Sequence, residues 1–254
     1  MPSPRKIAQA IHVPTSTWKL DNGLTVVFHE DHSDPIVALA VLYHVGSSRE
    51  TPGKTGLAHL FEHIMFQESE NVGQDQFFKK IQAAGGTLNG FTFQDGTMYY
   101  EVVPKNALEM IMWMESDRMG YLMGALDTTA FLNQQGVVMN EKRQGVDNQP
   151  YGWRDYVVAS SLFPEGHPYS WDVIGSMTDL ANSSVEDAKA FFQRWYGPNN
   201  AVLVLAGDFD PATAKEWVVR YFGEIPAGPE VEDRKPMPPK LEAERNVYYE
   251  DALG

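Results

Sequence analysis

The sequence predicts an α+β fold in which a mixed, largely antiparallel sheet packs against helices. Residues 18–29 read as a hairpin, because Asn22-Gly23 is a strong turn signal and β-branched and aromatic residues follow it. Residues 87–93 and 97–103 read as two further strands around the turn Gln94-Asp95-Gly96. Between and beyond them lie segments with apolar residues at helical spacing, opened by Ser, Thr or Asp or closed by Gly.

Taken in order, the first hairpin runs into His29-Glu-Asp-His32, which has the composition of a metal cluster. It stands beside Ser33, Asp34 and Pro35 and reads as a solvated loop. Residues 36–45 form a nearly continuous apolar strand, as expected in a sheet covered on both faces. Residues 74–84 place Phe77, Phe78 and Ile81 at helical spacing and stop at Gly85-Gly86. Residues 107–119 read as an amphipathic helix rich in Met, with the Met stripe assigned to core packing. Asp127-Thr-Thr is the N-cap of a long helix, residues 153–162 form another, and 164–175 are a loop. Ser183-Ser-Val-Glu186 has capping-box spacing and opens a helix to Tyr196. Residues 201–206 are a buried strand, and Asp210-Pro211 starts a helix ending near Phe222-Gly223. The expected organisation is a domain over 1–223, then a Pro-rich, charged linker that leads into a following unit over 224–254. Its first strand is expected at 245–249, and no internal repeat is present.

Composition narrows the function. A chain of 254 residues with 43% hydrophobic and 12% aromatic content can bury a substantial core and is globular rather than disordered. No stretch approaches the ~18 apolar residues of a membrane-spanning helix. Residues 1–15 lack an apolar core of signal-peptide length, which leaves bacterial cytoplasm and periplasm both open. Cysteine is absent, so disulfides and thiolate chemistry are excluded. The net charge of −14 argues against nucleic acid as a partner. It attracts cationic peptides at long range, although an acidic surface is also the ordinary device for solubility.

The chemistry concentrates in Gly56-Leu-Ala-His-Leu-Phe-Glu-His-Ile-Met-Phe66, which contains H-x-x-E-H at His59, Glu62 and His63. Helix positions i, i+3 and i+4 share one face, so both imidazoles can aim at one point with the Glu62 carboxylate beside them. The flanking Leu57, Leu60, Phe61, Ile64 and Met65 leave only a narrow polar stripe. Buried polar groups must be paired or coordinate a metal, and Zn²⁺ accounts for this set. The competing reading is a pair of core histidines satisfied by backbone carbonyls. A catalytic zinc takes three protein ligands, so a third must come from elsewhere in the chain.

With this motif the chain resembles the pitrilysin/insulinase family of inverted-zincin metallopeptidases, in which H-x-x-E-H is followed by a glutamate ligand on a second helix. The resemblance spans nearly the whole chain. Val45-Gly-Ser-Ser-Arg-Glu50 and Gly56-Leu-Ala-His59 look like the family's approach to the zinc helix. Gly85-Gly-Thr-Leu-Asn-Gly-Phe91 looks like its substrate strand, and His167-Pro-Tyr169, Ile174-Gly175 and Val204-Leu-Ala-Gly-Asp208 look like later signposts. The resemblance implies Glu141 as the third zinc ligand. It implies an edge strand whose Asn89 and Gly90 pair with substrate backbone, against the plainer reading that Asn89 stabilises its own loop. Many relatives carry a glutamate seven residues before the ligand; here that position is Gln134, which can orient a ligand but adds no charge.

The implied fold is one unit of a clamshell that closes around peptides or unfolded segments. The implied partner is a second homologous unit, in the same longer chain or in another subunit, which supplies an Arg and a Tyr to the substrate. The implied activity is zinc-dependent endopeptidase chemistry with Glu62 as general base. A non-catalytic peptide-binding or scaffold subunit of a two-chain peptidase is the alternative, and such subunits usually lose motif residues that are all present here. A closed structural zinc site wants a fourth ligand, usually cysteine, and there is none.

Overall fold

A computed structural model describes residues 13–233, 237, 241 and 243–251. The sequence expectations for residues 1–12, and for the linker positions 234–236 and 238–240, lie outside the described residues. Six strands form one sheet in the order β1-β2-β6-β3-β5-β4. They are β1 (Ser16–Lys19), β2 (Thr25–Glu30), β3 (Ile36–Tyr43), β4 (Thr87–Thr92), β5 (Thr97–Pro104) and β6 (Ala201–Gly207). Only β2 and β6 pair parallel; the other neighbours are antiparallel. The mixed, largely antiparallel sheet expected from the sequence is therefore present. The Asn22-Gly23 turn closes the first hairpin with Gly23 at φ +90°. The Asn22 side chain donates to the carbonyls of Phe222 and Ile225, tying that turn to the far end of the domain.

The helices are α1 (Leu57–Ile64), α2 (Gln76–Ala83), α3 (Leu108–Ala125), α4 (Thr128–Lys142), α5 (Arg154–Leu162), α6 (Met177–Asn182), α7 (Val185–Trp195) and α8 (Pro211–Phe222). One sheet face is sealed by them: Val37, Leu39, Val41 and Tyr43 of β3 and Leu203 and Leu205 of β6 are fully buried. The alternate residues of β3 and β6 are mostly half-buried, so the expectation of a sheet covered on both faces is corrected to one fully covered face. The long apolar run reflects β-propensity on the second face as much as burial.

Four further expectations change. The Met-rich helix extends to Ala125, and it is not amphipathic, since every residue from Met114 to Met119 is buried. It packs against the sheet and α8, so that of its residues only Gly120 and Gly124 are exposed. Its charged residues therefore pair internally: Arg118 donates to Glu115 and to Glu101 of β5 at 3.3 Å, and Asp117 accepts from Ser69 and Asn71. The capping box sits one residue later than expected, at Ser184 and Asp187, whose side chains bond each other's amides. Helix α6, capped by Ser176, was not legible within its turn-forming surroundings. Residues 245–249 form no strand, because no partner strand stands beside them among the described residues.

Candidate active site

Helix α1 buries Leu57, Ala58, Leu60, Phe61 and Ile64 and leaves His59, Glu62 and His63 on its half-exposed side. Phe61 anchors it from beneath, stacked against Phe191 and Phe192 of α7. Its start is held by Glu50, whose buried carboxyl group accepts the amides of Gly56 at 3.0 Å and Ala58 at 2.8 Å. Helix α4 is capped by Asp127, which accepts from the Ala130 amide, and is seated by buried Phe131 and Val138. Gln135 pins it further by donating to the carbonyls of Leu180 and Ser183. Glu141 stands in its last turn, just before a π-helical turn at Arg143–Asp147, a distortion common beside functional sites.

These two helices bring His59, His63 and Glu141 together. His63 Nε2 lies 3.2 Å from Glu141 Oε2, and His59 Nε2 lies 3.8 Å from Glu141 Oε1. One donor atom from each residue falls within 4.8 Å of the other two, the spacing of a three-ligand metal site. Burial, reinforced by the neighbouring His63, lowers the His59 pKa to about 4 and keeps its ring neutral, the form in which imidazole ligates. Hydrogen bonding to His63 holds the Glu141 carboxyl below its usual range, so it is an anion. Two imidazoles and a carboxylate suit Zn²⁺, and the donor set fits the ion.

Glu62 is aimed elsewhere. Its Oε2 accepts the hydroxyl proton of Thr92 at 2.6 Å, and burial raises its pKa despite that bond. Thr92 was missed by sequence reasoning, since nothing in a threonine thirty positions away signals the contact. His59, Glu62, Thr92, Glu141, Asp172 and Ile174 line an open cleft of about 370 Å³.

Asn89 and Gly90 lie on β4, which is an edge strand as expected. The Asn89 side chain accepts the Gly90 amide at 2.9 Å, so the local bond foreseen in the plainer reading is formed. A Cβ on Gly90 would stand 3.0 Å from Phe66 Cε2 and 3.3 Å from Glu62 Cγ, so this glycine backs the Glu62 side chain. Gln134 is buried where α4 meets the end of α1, beside Ile64 and Leu122. It makes no hydrogen bond to His59, His63 or Glu141, so the orienting contact expected of it is absent. The neighbouring Gln135 anchors the helix instead. His29 is half-buried and His32 exposed; His32 pairs with Glu30 and Asp208 through opposite ring nitrogens and converges on no common point.

Glu50 also sets a pH response. Burial pushes its carboxyl from 4.5 up to about 8, with Asp179 adding to the rise, against the amides of Ala58 and Gly56 that pull it down. The folded chain thus holds a proton the unfolded chain releases near pH 4.5. This contribution to stability is complete below that pH and is lost as pH rises through about 8. The thermal midpoint is expected to fall between pH 5 and 8, with a shallower fall in Glu50→Gln; equal slopes in the two proteins would remove Glu50 as the cause.

The family profile described as Insulinase (Peptidase family M16) matches residues 25–151, a span that includes all four residues of this cluster. A second profile, Peptidase M16 inactive domain, matches residues 182–252. The zinc protease PqqE of Helicobacter pylori is 33% identical over 207 residues, covering 81% of this chain and 46% of the relative. A solved protease structure from Helicobacter pylori superposes with a TM-score of 0.84 at 30% identity, over 90% of this chain and 54% of that one. Pitrilysin, at 21% identity, shares the fold with a TM-score of 0.79 over 90% of this chain and 24% of its own. The chain thus spans about half the length of the Helicobacter relative, and none of its helices is long and apolar enough to cross a membrane among the described residues. With its sheet, its helices and its H-x-x-E-H cluster inside the matched span, the chain belongs to the insulinase family of peptidases, M16.

Proposed function

We propose that the chain carries the zinc-binding half of a metalloendopeptidase that hydrolyses peptides or unfolded segments. His59, His63 and Glu141 are the zinc ligands and Glu62 is the general base. The observation that carries the reading is the convergence of donor atoms from α1 and α4, with Glu62 held off that point by Thr92. Bound there, zinc supplies Lewis acidity, which lowers the pKa of water towards ~7 and polarises a carbonyl. Glu62 takes a proton from the attacking water and returns it to the leaving amine. Its buried carboxylate binds a proton more readily than an exposed one, which suits the second of those tasks.

The free edge of β4 takes the peptide as an added strand, so affinity comes from main-chain bonds and depends little on substrate sequence. An incoming carbonyl competes with Asn89 for the Gly90 amide, which the Asn89 side chain occupies without substrate. A second homologous unit, in a longer chain or a partner subunit, closes the cleft from the other side. The domain over 1–223 is the zinc-bearing unit and residues 224–254 lead towards the next.

The direct test is cleavage of a quenched, unstructured peptide library by zinc-loaded protein, with and without a chelator. Chelator-sensitive cleavage supports the reading, and zinc-loaded protein that also fails when combined with a second family unit sinks it. Gly90→Val is expected to reduce turnover by on the order of 10- to 100-fold with little loss of thermal stability. Its side chain would displace Glu62, and an unchanged rate would show that Gly90 does not set the position of the base.

A further inference from the structure

We propose that Glu50 is a positioning residue for the metal-binding helix: its side-chain carboxyl group locks the first turn of α1 and thereby sets where His59 and His63 point. The inference rests on the assignment of those histidines as zinc ligands. Glu50 is only 4% exposed, and each of its oxygens accepts a different amide, from Gly56 and from Ala58. Amides at the start of a helix have no partner inside it, and a buried amide without one is costly. The N-cap residue of α1 is Gly56, which has no side chain to do this work. A helix of eight residues cannot hold its own end by propagation. Ala58 immediately precedes His59, so the bond acts one residue from the first ligand.

The surroundings show a seat built for this carboxyl group. Gly56 adopts φ +91°, and a Cβ there would meet the Ile174 carbonyl oxygen at 2.7 Å. Gly175 packs against Gly56 so closely that its own Cβ would stand 2.5 Å from the Gly56 Cα. Thr55 donates to Asp179 at 2.6 Å and accepts the Ser176 amide at 3.0 Å, holding the same stretch from the other side. Trp171 donates to the carbonyl of Ser47, in the turn that leads into Glu50. Residues 55–58 are thus clamped between Glu50 and the segment 171–179, which also supplies Asp172 and Ile174 to the cleft wall. Glu50 is not among the residues that line the cleft, so it acts only through the helix.

The test is the zinc affinity of the whole chain, by competition with a chromophoric chelator, alongside the thermal midpoint of the metal-free protein. Glu50→Gln presents an –NH₂ group to one of the two amides and is expected to weaken zinc binding about 10- to 100-fold. Asp210→Ala removes the cap of α8, which packs against α3, and is expected to lower the midpoint at unchanged zinc affinity. Wild-type zinc affinity in Glu50→Gln overturns the inference and leaves the ligand assignment standing. No zinc binding by the wild-type chain overturns both. If Glu50→Gln does not fold, Glu50→Asp keeps the carboxyl group but shortens its reach. It is expected to bind zinc more weakly than wild type, and wild-type affinity in that variant overturns the inference.

Discussion

Glu62→Gln is expected to leave zinc bound and to lower peptide hydrolysis by about 10²- to 10⁴-fold, the usual contribution of a positioned general base. The amide has the size of the carboxylate and can still accept the Thr92 hydroxyl proton, so the side chain keeps its place. It cannot accept a proton from water at neutral pH, and that step alone is removed. Because burial raises the Glu62 pKa, the acid limb of the wild-type rate profile is expected above the ordinary carboxylate range. Paired measurements of bound zinc and of turnover decide the matter. A variant that turns over at the wild-type rate would place the base elsewhere, and one that loses its zinc would make Glu62 a ligand.

Arg118→Met is expected to have the largest effect on stability, a loss of about 3–5 kcal/mol. Arg118, Glu101 and Glu115 are all essentially inaccessible, and the guanidinium also lies over the rings of Tyr99, Phe77 and Phe66. Desolvation and the neighbouring Glu115 push the Glu101 pKa well up, while Arg118 faces both side chains and pulls it down. Removing the cation leaves two acids against each other in an apolar site with nothing to offset them. For a chain of this length the loss corresponds to a fall in thermal midpoint on the order of 10 °C. Replacing all three residues with apolar ones of similar volume is expected to recover most of that, because a buried ion pair contributes little net stability over well-packed hydrophobic residues. A loss below about 1 kcal/mol in Arg118→Met would show that water reaches the site after the substitution.

The parts of this protein legible in the sequence are those governed by local rules. Asn22-Gly23 turns a hairpin because glycine accepts φ +90°, and Asp127 caps α4 because a short carboxylate reaches the Ala130 amide. His59, Glu62 and His63 share a helix face by periodicity alone. Other features were misread because a local pattern has more than one tertiary outcome. The continuous apolar run of β3 does not say whether one face or two will be covered. Four of the six residues from Met114 to Met119 are polar, yet the whole run is buried because its charges find partners on β5 and on residues 69–71. Gln134, expected to orient a ligand, makes no bond to one, while Gln135, one position and about 100° around the helix, anchors α4.

By itself, then, the sequence determined most of the elements and the shared helix face of His59, Glu62 and His63, since each depends on contacts within a turn or two of chain. Only the tertiary structure decided that Glu141 meets those histidines, that Thr92 holds Glu62 and that Glu50 secures the start of the helix. The first two contacts join residues far apart in sequence through the packing of α1 against α4 and β4, and the third crosses a loop that no local motif specifies. Packing depends on the volume and shape of the whole core, and no short motif encodes it.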